Sequence, residues 1–487
     1  MKPEKTSLSI WGKGLIGSIL LVMALVSSCE YLNVEPESDL VEEEFWKKTE
    51  DIEAVLAATY DAFRETSLAS FVWGELRADM ATFTGDVNRD YISIKAVNIK
   101  ANNPKIEWKG YYNTINLANT ILFYAPRIQE IDKTFTQEIK DGIEAEAIFL
   151  RSLSYFYLVR VWKDVPLVLQ PSVSDTVDLF PPKSEEHVVI RQIISDLEEA
   201  RDKAFATKFY DNPVYFKGRA NKFSVMALLA DVYLWNQQYD KCVAYCDSLI
   251  RENQYFRLMA TLDWFTMFYP GNSMESIFEI QYSAVINQIN PIHYDLLPIA
   301  RTRQVGLSNT AQSIFTDDLD IRKCGTSPVW KYVGASQDFK TVRQASEEDA
   351  HFIYYRLADI YLMKAEALIE LNRITEANEI LRTIAERAAQ PYEVLTSRDK
   401  LREYVLSERA RELAFEGKRW FDLLRYAKRN QFEKKNYLIE VLLQGSDIKQ
   451  RPVYRARLID TMSYYLPIPE NDILFNPNLR QNPYYDR

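Results

Sequence analysis

Glycine is scarce in this chain, with 14 in 487 residues, well under the roughly 7% usual in proteins. That disfavours β-rich sandwiches and nucleotide folds built on glycine-rich loops. Histidine is scarcer still: His187, His293 and His351 lie far apart and leave little room for an all-histidine metal site. A basic excess is lacking too, the net charge being −10. A general nucleic-acid binder needs a cationic face to neutralise phosphates, so that class is excluded. Beyond the N-terminus no run approaches the roughly 18 apolar residues of a membrane span. Also missing are G-x-S-x-G, H-E-x-x-H and G-x-x-x-x-G-K-[ST], which removes the usual motif-bearing enzymes. With 69 acidic residues, no carboxylate pair singles out a glycosidase. The expectation is a non-enzyme.

Four cysteines remain to be placed. Cys29 follows a basic head (Lys2, Lys5, Lys13) and the 12-residue apolar stretch Leu15–Val26. Twelve residues make about 18 Å of helix, too short to cross a bilayer core. A basic head, a short apolar run and small residues before a break constitute a secretory signal. The break Val26-Ser27-Ser28-Cys29 resembles the bacterial lipobox, whose cysteine is acylated, for instance with palmitate. Residues 1–28 are therefore expected to be removed as a lipoprotein signal peptide. The mature chain then has 459 residues, carries −12, and is held by a lipid on Cys29. Cys242, Cys246 and Cys324 form no disulfide framework. Cys242 and Cys246 share one helix face, too far apart for a relaxed disulfide, and are expected as small core residues.

What the chain has in plenty is helical periodicity. Apolar residues recur at three- and four-residue spacing over 50–65, 106–128, 135–162, 184–204, 218–235, 240–253, 351–371, 374–390, 398–415 and 419–429. Residues 66–105 and most of 254–350 read as loops, with Ser276–Tyr282 as a candidate strand. Residues 432–487 carry Pro467, Pro469, Pro477 and Pro483 and read as irregular, with a short strand or two.

Two helix pairs fit one tetratricopeptide pattern, in which repeat positions 8 and 20 are small. In ALLADVYLWNQQYDKCVAYCDSLI, Ala230 and Cys242 take those positions. In KAEALIELNRITEANEILRTIA, Ala365 and Ala377 do. The helices at 50–65 with 106–128, and at 135–162 with 184–204, are candidates for two degenerate pairs. The fold class is therefore mainly all-α: a tetratricopeptide-like scaffold of about four helix pairs with long irregular loops and a few short strands. Its expected divisions are 29–253, a loop-rich 254–350, and 351–487.

Longer motifs carry a resemblance. The stretch after Cys29, YLNVEPESDLVEEEFWKKTEDIEAVLAATYDAF, is followed by EWKGYYNTINLANTIL and EAEAIFLRSLSYFYLVRVWKDVPLVL. RLADIYLMKAEAL, ERARELAFEGKRWFDLLRY and YYLPIPENDILFNPNLRQNPYY come later. In this order they resemble the SusD/RagB family of outer-membrane lipoproteins, over nearly the whole mature chain. The resemblance implies a non-catalytic protein, anchored to the outer membrane and facing the cell exterior. It implies a SusC/RagA-like TonB-dependent β-barrel transporter as partner, to which a captured glycan is delivered. Peptide capture of the RagB type is the alternative, and a scaffold without its own ligand is a third reading. No nucleic acid is implied.

Within the signature 408–425 the dense charges of both signs (Glu408, Arg409, Glu412, Glu416, Lys418, Arg419, Asp422, Arg425) read as an ion-paired helix junction. Gly417 separates the two helices. Trp73 and Trp108 are expected in the core.

Sugars present hydroxyl fans and flat CH faces, which aromatic rings and Asp, Asn, Gln or Arg side chains match. In glycan-binding relatives such residues lie in loops of corresponding regions. By region, the ligand candidates are Arg89, Asp90, Tyr91, Asn102, Tyr269, Tyr282, Tyr294, Arg301 and Trp330, with Tyr91 and Asp90 foremost. No cofactor or metal is expected. A structural Ca²⁺ is compatible with the Asp and Asn residues of 86–103, although their spacing matches no calcium motif.

Overall fold

The computed structural model describes residues 45–486, apart from 86, 174–177, 300–301, 316, 318 and 324–328. Cys29, Cys324, Asp86 and Arg301 lie outside the described residues. Eight long helices make the scaffold. They are α1 (Thr49–Arg64), then, after a short helix α2 (Arg89–Lys95), α3 (Lys109–Ile131) and α4 (Gln137–Trp162). Next come α5 (Glu186–Lys203), the short α6 (Pro213–Gly218), α7 (Lys222–Trp235) and α8 (Tyr239–Arg251). The last pair is α9 (Leu357–Glu370) and α10 (Ile374–Arg387). Each packs on the next in one continuous stack: α1 on α3, α3 on α4, α4 on α5, α5 on α7, α7 on α8, α8 on α9, and α9 on α10. The four expected pairs are therefore α1/α3, α4/α5, α7/α8 and α9/α10.

Local chemistry sets the ends of these helices. Asn221 caps α7, its side chain accepting from the Phe223 and Ser224 amides at 3.0 and 3.1 Å. The Asn221 amide donates in return to Ser224 Oγ at 2.8 Å, a reciprocal cap. Ala230, Cys242, Ala365 and Ala377 are completely buried, because small side chains there let paired helices approach. Cys242 Sγ lies 4.0 Å from Cys246 Sγ and 3.9 Å from the Met363 carbonyl, so this face meets α9 and the cysteines are packing residues.

Three two-stranded sheets tie the loops to the stack. β1 (Ala81–Phe83) pairs with β5 (Val305–Leu307), β2 (Val165–Pro166) with β3 (Lys183–Ser184), and β4 (Ser276–Ile280) with β6 (Phe352–Arg356), all antiparallel. The last pair corrects the expectation of helix from 351: Phe-Ile-Tyr-Tyr-Arg favours a strand when Ser-Ile-Phe-Glu-Ile is available to pair. Residues 66–105 also hold more structure than expected, including Ser67–Phe71, a π-helical turn over Val72–Leu76, and α2.

The C-terminal region adds α11 (Arg398–Glu412) and α12 (Arg419–Phe432), the latter broken by non-helical residues at Arg429–Gln431. Then come α13 (Lys435–Gln444), α14 (Arg451–Leu458) and α15 (Glu470–Phe475). The tail is thus helical in three places, where a strand or two had been expected. Its prolines do cross the helices: the Leu466 amide donates to the Val161 carbonyl at 2.8 Å. Trp162 Nε1 donates to the Pro467 carbonyl, also at 2.8 Å.

The charged signature is an ion-paired junction, as expected. Arg356 donates to Glu275 and Glu412 at 2.7 Å each and to Glu416 at 2.9 Å. Arg387 bridges Glu412 and Glu275, and Arg322 bridges Asp320, Glu408 and Glu412. Lys331 pairs with Glu416 at 2.6 Å. On the other face of the junction Arg409 joins Asp359 and Asp422, while Arg425 joins Glu366 and Asp422. All these groups are buried. Burial alone would raise the Glu412 carboxyl, but Arg387, Arg356 and Arg322 hold it well below the ordinary range. Burial likewise opposes Arg425 and Arg429 at Glu366, and the two arginines still bring it from 4.5 to about 2.

Two outcomes are expected. Arg356→Met leaves three buried carboxylates short of a partner and should cost about 3–5 kcal/mol of stability, read by denaturant unfolding. A loss under about 1 kcal/mol would mean the network is not limiting. Glu366 has a depressed folded pKa, so its contribution is present above pH 4.5 and lost as pH falls towards 2. The unfolding free energy should therefore decline over that window, and the part due to Glu366 should vanish in Glu366→Gln.

Candidate ligand-binding rim

The pairing of β1 with β5 brings two loop regions, more than 200 residues apart, to one edge. The ladder continues past the strands: the Thr84 amide donates to the Gln304 carbonyl at 3.1 Å and Thr84 Oγ1 to the Arg303 carbonyl at 2.7 Å. Gln304 then acts as a clamp. Its amide donates to the Leu296 carbonyl at 3.0 Å and its Nε2 to the Asp295 carbonyl at 3.0 Å. Its Oε1 accepts from the Asn88 amide at 3.4 Å. Asn88 is the N-cap of α2, its side chain accepting from the Asp90 amide at 2.8 Å.

The first turn of α2 is thus set beside the π-helical turn Ile292–Leu296. That turn is held from behind. Asn290 takes the Ile292 amide on Oδ1 at 2.9 Å and gives its own amide to the Glu348 carbonyl at 3.0 Å. Ile292, His293 and Leu296 point into the core, and Tyr294 is turned out, 43% exposed. Arg89 is exposed, and Asp90 and Asp295 are half-buried, beside the exposed Ile92. The rim therefore offers a guanidinium, two carboxylates, a tyrosine ring and an aliphatic edge.

Tyr91 lies beneath it. It is 3% exposed, with the Lys105 ammonium 5.2 Å from its ring centre. Burial, and behind it the carboxylates of Asp295 and Asp90, push its hydroxyl up to about 12. Asn103, also buried, donates to the Asp90 carbonyl at 3.1 Å and to Ser93 Oγ at 2.9 Å, fastening the 100–105 segment to α2. Asn102 is exposed and lines a different, 70 Å³ cleft with Glu107, Glu470 and Asn471.

The other candidates separate. Tyr269 and Tyr282 line a second cavity of 250 Å³ with Arg343, Glu347, Asp349 and His351. Tyr282 is 5% exposed, and the Arg343 guanidinium lies 4.5 Å from the Tyr269 ring centre. His351 Nδ1 meets Glu279 Oε1 at 2.8 Å. Trp330 is buried, giving its Nε1 hydrogen to the Ser336 carbonyl at 2.6 Å. So of the sequence candidates the structure brings Arg89, Asp90, Tyr91 and Tyr294 together and sets Asn102, Tyr269, Tyr282 and Trp330 elsewhere. Trp73 and Trp108 are buried, as expected.

Asp295, Ile92 and the Gln304 clamp were not among the sequence candidates. Their only signal is two three-residue strands, which carry no readable period. His293 is buried, and neither ring nitrogen has a hydrogen-bond partner. Burial, then Arg343 and Arg303, push it down to about 3, so it stays neutral. Among the described residues no three His, Cys, Asp or Glu side chains group to hold a metal ion. No described helix is long and apolar enough to cross a membrane.

With this geometry in hand, similarity to known proteins becomes interpretable. Residues 321–485 match the family model described as SusD family. Residues 30–234 match that described as starch-binding, associating with the outer membrane. A SusD-like protein of Formosa agariphila is 28% identical over 469 residues, covering 84% of this chain and 90% of its own length. One from Bacteroides ovatus is 24% identical, covering 96% of this chain and 98% of itself. A SusD superfamily structure from Bacteroides thetaiotaomicron superposes with a TM-score of 0.73 at 24% identity, over 90% of this chain and 99% of that one. A laminarin-binding SusD-like protein superposes with 0.70 at 21% identity, over 90% and 99%.

The rim makes its own prediction. Tyr294→Ala should cost under about 1.5 kcal/mol, because the residue is 43% exposed. Tyr91→Ala should cost roughly 3–5 kcal/mol, as a large buried aromatic does. Equal losses in chemical denaturation would show that the two rings are not sorted as described.

Proposed function

The chain belongs to the SusD family, and from that premise we propose that it captures an oligo- or polysaccharide at the α2–Ile292–Leu296 rim without chemical conversion. It hands the glycan to a TonB-dependent β-barrel transporter of the SusC type. A lipid on Cys29 holds it to the outer membrane, facing outwards. The observation that carries this reading is the Gln304 clamp, which joins the α2 turn to the Tyr294 turn and leaves Arg89, Asp90, Asp295 and Tyr294 at one open edge. Guanidinium and carboxylate groups suit vicinal hydroxyls, and a tyrosine face suits the CH side of a sugar ring. The starch-binding description of the matched model and the laminarin-binding neighbour support the same ligand class.

Calorimetric titration of a soluble form starting at Glu30 tests it, against neutral glucans, fructans, mannans, host-type glycans and a peptide digest. Saturable binding of one glycan class is expected. Tyr294→Ala and Asp90→Asn should each weaken it about tenfold, which is about 1.4 kcal/mol, with melting unchanged. Glycan binding indifferent to both substitutions would place the site elsewhere. Heat with peptides alone would replace the glycan by peptide.

A further inference from the structure

A further cavity stands apart from the rim and from the Tyr269–Tyr282 cavity, among the helix pairs. It measures 660 Å³ and opens between the C-terminal end of α5, the start of α7 and the outer face of α8. That is within the range of small-ligand sites. Its charge runs against that of the chain. Arg201, Lys222, Lys241 and Arg251 line it, with Glu252 as the one lining carboxylate, whereas the whole chain carries −10.

Arg201 is already committed. It donates to Glu198 at 2.6 Å and to both carboxylate oxygens of Asp202 at 2.8 Å. Glu198 is saturated further by the Tyr233 and Tyr245 hydroxyls, each at 2.6 Å. The other three cations form no such close ion pair, although Lys241 lies in the field of Glu198 and Lys222 in that of Asp202. Among the described residues Lys222, Lys241 and Arg251 have no carboxylate within 4.0 Å, and the one hydrogen bond of Arg251 goes to Ser248 Oγ at 3.3 Å. Even with Glu198 and Asp202 counted, cations outnumber carboxylates four to three around the opening. Phe223, Tyr245 and Tyr255 supply an apolar wall beside them.

The opening therefore carries a small excess of positive charge, and a multi-oxygen anion placed there gains charge-assisted hydrogen bonds from the lining cations. We propose that this cavity binds a compact ligand bearing an oxyanion group (sulfate, phosphate or carboxylate), its anionic oxygens held by Lys222, Lys241 and Arg251 and its carbon face against the aromatic wall. The site is independent of the rim and does not rest on the glycan reading.

The test uses calorimetry of the soluble chain from Glu30 in about 20 mM salt, where screening is weak. Inorganic sulfate, inorganic phosphate and D-galacturonate are the three probes, separating tetrahedral oxyanions from a sugar carboxylate. Saturable one-to-one binding of at least one probe is expected. It should weaken about tenfold in the Lys222→Gln/Lys241→Gln double variant and in Arg251→Gln, and persist in Tyr294→Ala. Circular dichroism checks that the variants fold, and Lys241→Arg, which keeps the charge, should retain binding. Heats that never saturate, or that are unchanged by the charge-removing substitutions, would overturn the proposal. Loss in Tyr294→Ala alone would assign the ion to the rim and overturn it equally.

Discussion

The guanidinium of Arg356 is the point through which the halves of this molecule are joined. It closes β6, and its hydrogen-bond donors reach Glu275, just before β4, Glu412 at the end of α11, and Glu416 beyond that end. Around it, Arg322, Lys331 and Arg387 face Asp320, Glu408, Glu412 and Glu416, so cations and carboxylates nearly balance. An unpaired buried charge is costly, whereas a saturated cluster tolerates only one arrangement of its members. Asp320, Arg322 and Lys331 belong to the long loop region before β6. Their charges oblige that region to lie against α10 and α11.

A second set of contacts carries the constraint to the rim. Gly417, at φ +70°, ends the α11 segment in a conformation that favours glycine. Its carbonyl lies where a Cβ on Gly74 would come within 1.9 Å, so the π-helical turn at 72–76 can approach only because Gly74 lacks a side chain. Arg419, next in the junction, grips Asp79 at 2.8 and 3.0 Å. The Asp79 carbonyl in turn accepts from Ser308 Oγ at 2.6 Å. These contacts flank β1 and β5. The placing of the Ile292–Leu296 turn beside the start of α2 is thus the far end of a chain of contacts beginning at α11. The signature segment is structural in its own location and sets the candidate edge by relay.

The scaffold was legible in the sequence because each pair announces itself. The small residues Ala230, Cys242, Ala365 and Ala377 recur at fixed spacing, and the helices they join span many periods. The ion-paired junction was legible from charge density alone. The strand Phe352–Arg356 was not, because four aromatic and aliphatic residues and an arginine abutting a long helix read as its first turn, and the partner strand lies some 75 residues away. At the rim, Arg89, Asp90 and Tyr294 could be named by residue type and region. Tyr91 could not be sorted from Tyr294 in that way: both are loop-region tyrosines beside carboxylates. Which one faces solvent depends on Asn103 and Gln304 contacts that close only in three dimensions.

The composition of the rim also bears on affinity. Among the described rim residues Tyr294 is the one exposed ring, and an aromatic contact contributes about 0.5–1.5 kcal/mol beyond its buried area. Net hydrogen bonds to charged groups add about 1.5–3 kcal/mol each, against the several kcal/mol lost when a free ligand is immobilised. On the proposed reading a single sugar unit is held near the millimolar range, about −4 kcal/mol. A longer chain gains by presenting many equivalent units to the same edge, since rebinding replaces escape. Such an edge favours polymer over monomer without a deep pocket. It would also release its ligand easily, as the proposed hand-over to a transporter requires.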